Sequence, residues 1–164
     1  YDLTRHQEYS CKSMEYLDPE TNEKYIPYII ESTYGLDRIV LALLFEGLHE
    51  EQISDTDSRI VFNIKPALAP IKINILPLIK KKHAEKAREL YAMLAKSCMV
   101  QYEESGSIGK RYRRGDAIGI PYAITVDDAT LEQETVTIRD RDTMDQCVIP
   151  ISGLVTFLEE KSLI

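Results

Sequence analysis

Two groups of residues in this 164-residue chain have types and spacing suited to chemistry. In PYIIESTYGLDRIVLALL (27–44), Arg38 opens an expected apolar helix and Glu31 closes an expected strand. A guanidinium in a helix's first turn adds a fixed charge to the positive end of the helix dipole, a cradle for a triphosphate. Glu31 is placed to hold an ammonium group. Asp37 and Arg38 read equally well as residues that cap and solvate a helix start. The second group is basic: residues 80–114 hold 10 Lys and Arg against 4 Asp and Glu, a net of +6 in a chain whose formal charge is −7. Such a segment suits a polyanion, and it also suits a solvated helix face. Within it Arg111, Arg113 and Arg114 follow a glycine-flanked turn, and Lys80, Lys81 and Lys82 open a helix. Further on, Arg139 and Arg141 alternate with Asp140 and Asp142 on an expected strand, which puts the arginines on one face. Glu103 and Asp127 stand at expected strand ends.

Other reactive types are sparse. His6, His49 and His83 are not at metal spacing and read as surface or packing residues, so no metal site is expected. Cys11, Cys98 and Cys147 are far apart and odd in number, which fits neither a disulfide framework nor zinc and suggests a reducing compartment. Tyr102, Tyr112 and Tyr122 suit base stacking or the core.

The elements that must position these groups follow from composition and periodicity. With 44% hydrophobic and 29% charged residues, the chain has ordinary globular composition, which excludes collagen, a coiled-coil rod and a disordered tail. No apolar run approaches the ~20 residues of a membrane helix, and Tyr1 in place of Met leads to the expectation of a piece cut from something longer. Residues 1–58 hold 4 basic against 13 acidic residues, and 59–164 hold 16 against 14. YIPYIIE (25–31) reads as a strand, STYG as a turn and LDRIVLALLFEGL as a helix apolar almost all round, a remnant whose covering bulk lies upstream. The acidic LHEEQISDTDS (48–58) reads as a linker or exposed loop. Then strands alternate with helices: KINILPL, HAEKARELYAMLAKS, CMVQYEE, SIGKRYRRGDAIG as a short basic helix, PYAITV, TVTIRDRD, QCVIPI and a closing helix ISGLVTFLEEK. That order predicts an α/β domain, a mixed sheet of five strands with about three helices.

Both groups carry a resemblance. PYIIESTYGLDRIVLALL resembles the third signature motif of class II aminoacyl-tRNA synthetases, and LAPIKINILPL with ESGSIGKRYRRGDAIGIPYAITVDDATLEQETVTIRDRDTMDQ resembles the anticodon-binding domain of the glycyl-tRNA synthetase family. The resemblance covers nearly the whole chain, from YDLTRH onward. It implies 1–58 as the C-terminal edge of a class II catalytic domain with a linker, and 59–164 as the anticodon-binding domain. It implies that Arg38, with Gly35, contacts the ATP γ-phosphate and that Glu31 recognises the glycine amino group. The family commonly has Glu-Pro-Ser where this chain has Glu31-Ser32-Thr33, so Thr33 takes the serine's part, and Tyr34 replaces a usual small residue.

For the second unit the resemblance implies anticodon contacts from Arg111, Arg114, Arg139, Arg141, Glu103 and Asp127. Planar guanidinium donors suit phosphates and base edges, and a carboxylate accepts from a cytosine amino group. Equally, these charges pair with one another and only stabilise the domain. The full-length family member is a homodimeric, cytoplasmic ligase of protein biosynthesis that uses ATP and magnesium to join glycine to tRNA-Gly. The first two class II motifs are not found in this chain, so the fragment alone is expected to be inactive, to hold no tightly bound cofactor and to supply mainly anticodon recognition. A non-catalytic synthetase-like accessory or nucleic-acid-binding module is the alternative; Arg38 and Glu31 favour the enzyme.

Overall fold

Apolar strands followed by helix-spaced stretches fold in the computed structural model into two units, Tyr1–Ile39 and Val40–Ile164; residues 1–161 and 163 are described. Ser162 and Ile164 of the expected second domain lie outside the described residues.

In the first unit, helix α1 (Asp2–Ser10) ends on Cys11 in the left-handed conformation. A two-residue ribbon follows, β1 (Tyr16–Leu17) against β2 (Lys24–Tyr25), with Tyr16 and Tyr25 edge to face at 5.9 Å. Its turn is held by Asp18 Oδ1, which accepts from the Glu20 N–H at 2.8 Å. The strand expected over 25–31 is not formed beyond Tyr25: residues 26–35 are irregular, and Tyr28 and Ile30 are almost fully exposed. A β-rich run needs a neighbouring strand to satisfy its backbone, and among the described residues this run has none.

Helix α2 (Leu36–Gly47) forms as expected from LDRIVLALLFEGL, but its apolar faces are uncovered. Phe45 is 82% exposed and Ile39, Val40, Leu41 and Leu44 are open too; only Gly47 is buried. Directly after it, the segment expected as a linker is instead an antiparallel hairpin, β3 (Leu48–Ser54) with β4 (Asp57–Phe62). Of the acidic residues that suggested a loop, Glu50 and Glu51 sit on β3, Asp55 lies in the turn and Asp57 opens β4. Glu51 faces Arg59 across the ladder, and Arg59 and Val61 point into the protein. A cross-strand ion pair and two inward residues define the strand, a weaker signal than apolar alternation.

The rest of the second unit keeps the expected order: β5 (Ile73–Pro77), α3 (Lys80–Leu94), β6 (Val100–Tyr102), α4 (Ile108–Ala117), β7 (Tyr122–Val126), α5 (Asp128–Gln133), β8 (Thr135–Asp140), β9 (Gln146–Pro150) and α6 (Leu154–Glu160). The five strands form one mixed sheet in the order β6-β5-β7-β8-β9, parallel for the first three and antiparallel from β7 onward. Ile73, Ile75, Tyr122, Ile124, Val126, Val136 and Ile138 make an apolar core with Ala87, Leu90 and Leu94 of α3 and Leu154 and Leu158 of α6. Each buried Ile, Leu or Val among them contributes roughly 1.5–3 kcal/mol by leaving water. The opposite face carries Asn74, Ala123 and Arg139 in one row and lies under α4, where Gly115 meets Asn74 closely: a Cβ on it would come within 3.3 Å of the amide.

Helix α5 is an addition to the expected elements. The Asp127 carboxylate accepts from the Thr130 N–H at 3.1 Å while the Asp127 N–H donates to Thr130 Oγ1 at 3.0 Å. That reciprocal cap starts a helix in residues that read as the end of a strand.

Candidate nucleic-acid interface

Strand order reverses at β5: the chain leaves it for β6 on one side and returns by α4 to β7 on the other. In open α/β sheets, ligands bind outside the carboxyl ends of the strands at such a point. Helices α3, α4 and α5 each begin just after one of these three strands, so their N-terminal ends gather along that edge. Four of the anticodon residues expected from the sequence, Glu103, Arg111, Arg114 and Asp127, are brought together there. Arg139 and Arg141 are not; their backbone pairs beside Ala123 and Pro121, at the opposite edge.

Exposure divides the arginines further. Lys110, Arg113 and Arg114 form the solvent face of α4. Arg114 donates from Nη2 at 2.8 Å and from Nε at 3.1 Å to the Glu103 carboxylate, and this hydrogen bond raises the arginine's affinity for its proton. Arg113 pairs with Asp57 of the hairpin. Arg111 is 4% exposed and turned inward, donating to the Pro77 carbonyl at 2.7 Å. Its Nε is buried with no partner among the described residues.

The arginines expected on an RNA-facing strand are buried too, and this corrects the reading by alternation. Arg139 donates two hydrogen bonds to Asp116, at 2.8 and 3.1 Å, and lies over the Tyr112 ring at 4.8 Å. Arg141, 1% exposed, follows the end of β8 and donates to the carbonyls of Gly119 and Ile64, both at 2.9 Å, and to Asp142. The face that β8 presents to α4 is covered, so alternation identified the face correctly but not its exposure. Asp116, the buried carboxylate behind this arrangement, has no marker in the sequence: its partners are 57 and 23 residues away.

Around the carboxyl edge Glu104 and Asp128 are paired as well. Glu104 accepts from Lys80 and from the Tyr102 hydroxyl, and these bonds hold it below the usual carboxylate range against a small opposing desolvation. Asp128 is held low in the same way, by Lys82 first and then His83. His83, read as a surface or packing residue, is fully buried; its Nδ1 accepts from the Ile79 N–H, so Nε2–H donates to Asp128 at 2.7 Å. It ties the start of α3 to the start of α5. Tyr122 belongs to the core against Phe157, Tyr112 hydrogen-bonds Thr125 beneath α4, and Tyr102 is half-buried beside Arg88.

In the first unit, Glu31, Thr33, Gly35 and Arg38 are all exposed, with Thr33 Oγ1 donating to Glu31 Oε1 at 2.8 Å and Arg38 in the first turn of α2. An exposed guanidinium there fits a polyphosphate. Among the described residues no group of three or more His, Cys, Asp or Glu is placed to hold a metal ion. No helix among them is long and apolar enough to cross a membrane.

The five-stranded mixed sheet, with a basic helix starting at its switch point, defines an open-sheet α/β domain with positive charge along its carboxyl edge. Residues 67–161 match the family described as "Anticodon binding domain", and the chain belongs to that family. It is 55% identical over 161 residues to the glycine–tRNA ligase of Clostridium tetani and 53% identical over 161 residues to that of Bacillus anthracis. Each match covers 98% of this chain, which spans about a third of the relatives' length, 35% in both cases. Among solved structures, the RNA binding domain of threonyl-tRNA synthetase from Cryptosporidium parvum Iowa II has a similar fold, with a TM-score of 0.56 at 20% identity over 60% of this chain and 25% of that one.

Proposed function

We propose that this chain is the part of a glycine–tRNA ligase that recognises the tRNA-Gly anticodon, residues 59–164, together with one edge of the catalytic domain, residues 1–58. The observation that carries the reading is 55% identity over 98% of the chain, which runs through the Arg38 motif as well as the domain. Anticodon bases are unstacked in their loop, so their edges and faces are open to a protein. Arg114 and Glu103, paired with each other in the free chain, supply a donor fork and an acceptor at the carboxyl edge when a base takes the place of one partner, and Asp127, whose Oδ1 serves the α5 cap, has a second oxygen for a base amino group. Lys110 and Lys81 hold phosphates. Arg111, Arg139 and Arg141 act from inside, fixing the surface that the exposed residues present. In the full-length enzyme, a cytoplasmic homodimer, Arg38 and Gly35 contact the ATP γ-phosphate while Glu31 and Thr33 hold glycine, and magnesium accompanies the ATP.

The test is tRNA-Gly binding by the purified chain at two salt concentrations, with Lys110→Ala/Arg114→Ala beside the wild type. Expected are affinity that falls as salt rises, and a shallower salt slope with weaker binding in the variant. Binding that ignores both salt and the variant would refute the interface.

A further inference from the structure

The residues that match the family begin at 67, yet the polar interior under α4 is completed from outside them. We propose that Arg59, on the β3–β4 hairpin, is a positioning residue for RNA recognition: it completes a buried Arg59–Asp116–Arg139 triad that sets the pose of α4 and hence of Lys110 and Arg114. The proposal rests on the reading of α4 as the RNA-facing helix.

Asp116 is 2% exposed and lies between two arginines that are 3% and 7% exposed. Arg59 Nη1 donates to its Oδ2 at 2.9 Å, and Arg139 donates to both of its oxygens. One carboxylate between two buried guanidinium groups leaves an excess positive charge. The hairpin supplies the balance, because Arg59 donates from Nε at 2.9 Å and Nη2 at 2.6 Å to Glu51 on the facing strand. Desolvation pushes Glu51 up, but the Arg59 hydrogen bond and charge outweigh it and hold the carboxyl below its usual range. Four charges, two from the hairpin and two from the domain, form one closed network.

The network grips α4 on its inner face at successive turns. Asp116 is one contact, and Tyr112, four residues earlier, packs on Arg139 and shares a hydrogen bond with Thr125. On the outer face the same hairpin holds Arg113 through Asp57 and the Ser58 carbonyl. The hairpin is itself pinned. The Phe62 ring lies between Gly47 and Gly119, where a Cβ on either glycine would approach it to 2.8 Å, and Arg141 ties Ile64, two residues after Phe62, to Gly119. A helix docked through polar contacts takes its rotation and depth from their geometry, whereas an apolar seam permits sliding. Arg59 therefore influences residues it does not touch.

Three sets of variants test this. Arg59→Met leaves Asp116 paired with Arg139 and leaves Glu51, a third exposed, to water, so the fold is expected to survive. Its affinity for tRNA-Gly is expected to fall about tenfold, and the same substitution in the Lys110→Ala/Arg114→Ala background to cost less than about twofold, since the effect passes through those residues. Arg59→Lys, whose ammonium reaches Asp116 or Glu51 but not both, is expected to be intermediate. Amide hydrogen exchange supplies a readout independent of RNA: in Arg59→Lys, exchange should quicken across 108–117 and not across α3. Wild-type affinity in Arg59→Met, full additivity with the helix variants, uniform acceleration of exchange or outright unfolding of Arg59→Lys would each overturn the proposal. If the wild type does not bind tRNA-Gly while exchange quickens in α4 alone, the anticodon reading fails and the positioning of α4 by Arg59 stands as structure only, which overturns its role in recognition.

Discussion

An arginine in the interior must direct its donors to protein acceptors, and an arginine at the surface need not; the two therefore differ in what their loss costs. Arg139→Ala removes one of two partners from buried Asp116 and the cation over Tyr112. Urea unfolding is expected to show a loss of about 3–5 kcal/mol. Arg114→Ala, at an exposed pair, is expected to change stability by less than about 1 kcal/mol. Equal losses in the two variants would contradict the division into inner and outer arginines. Carboxylates give a second expectation. Glu51, Glu104 and Asp128 all lie below their ordinary range, so their contributions are fully present above the unfolded values and are lost as pH falls through the lower folded ones. Thermal unfolding midpoints should be level from neutral pH to roughly pH 5 and drop below about pH 4. Glu51→Gln should reduce that acid-side drop. The types and spacing of these residues were legible in the sequence; which were buried was not, because burial of Arg139 depends on Asp116, 23 residues away, and on a helix packed over its strand.

Elements were legible where a run of residues carried its own signal. Strand β5 is five consecutive buried residues and α3 has apolar residues at helical spacing, and both formed close to their expected positions. Failures came where the deciding contact was distant or small. Residues 48–58 of the hairpin read as a linker or loop until Arg59 is seen to reach Asp116. The run 25–31 has strand composition, but among the described residues no neighbouring strand pairs with it beyond the two-residue ribbon. Helix α5 did carry a local signal, Asp127 three residues before Thr130, in a stretch too short for periodicity. Its cap makes a prediction: Asp127→Ala should destabilise the domain by about 1 kcal/mol and quicken amide exchange in 128–133. No change in either would mean that packing against the neighbouring elements alone holds α5.

For the whole molecule, the chain spans about a third of the length of the glycine–tRNA ligases it matches, and its apolar helix α2 is uncovered among the described residues. The fragment alone should therefore lack glycine-dependent ATP–pyrophosphate exchange. In the full-length enzyme, Arg38→Ala should cut that exchange by on the order of 10²-fold or more, by removing a charge that stabilises the transferring phosphates. Unchanged exchange would remove Arg38 from the ATP site. The function proposed for this chain itself is narrower: to distinguish the anticodon of tRNA-Gly. It is tested most directly by titrating the purified chain, at one fixed salt concentration, with tRNA-Gly and with the same tRNA changed at its second or third anticodon base. Binding to the first is expected to be weakened about tenfold or more by either change, as for a lost base contact of roughly 1–3 kcal/mol. Equal affinity for all three RNAs, or none for tRNA-Gly, would contradict it.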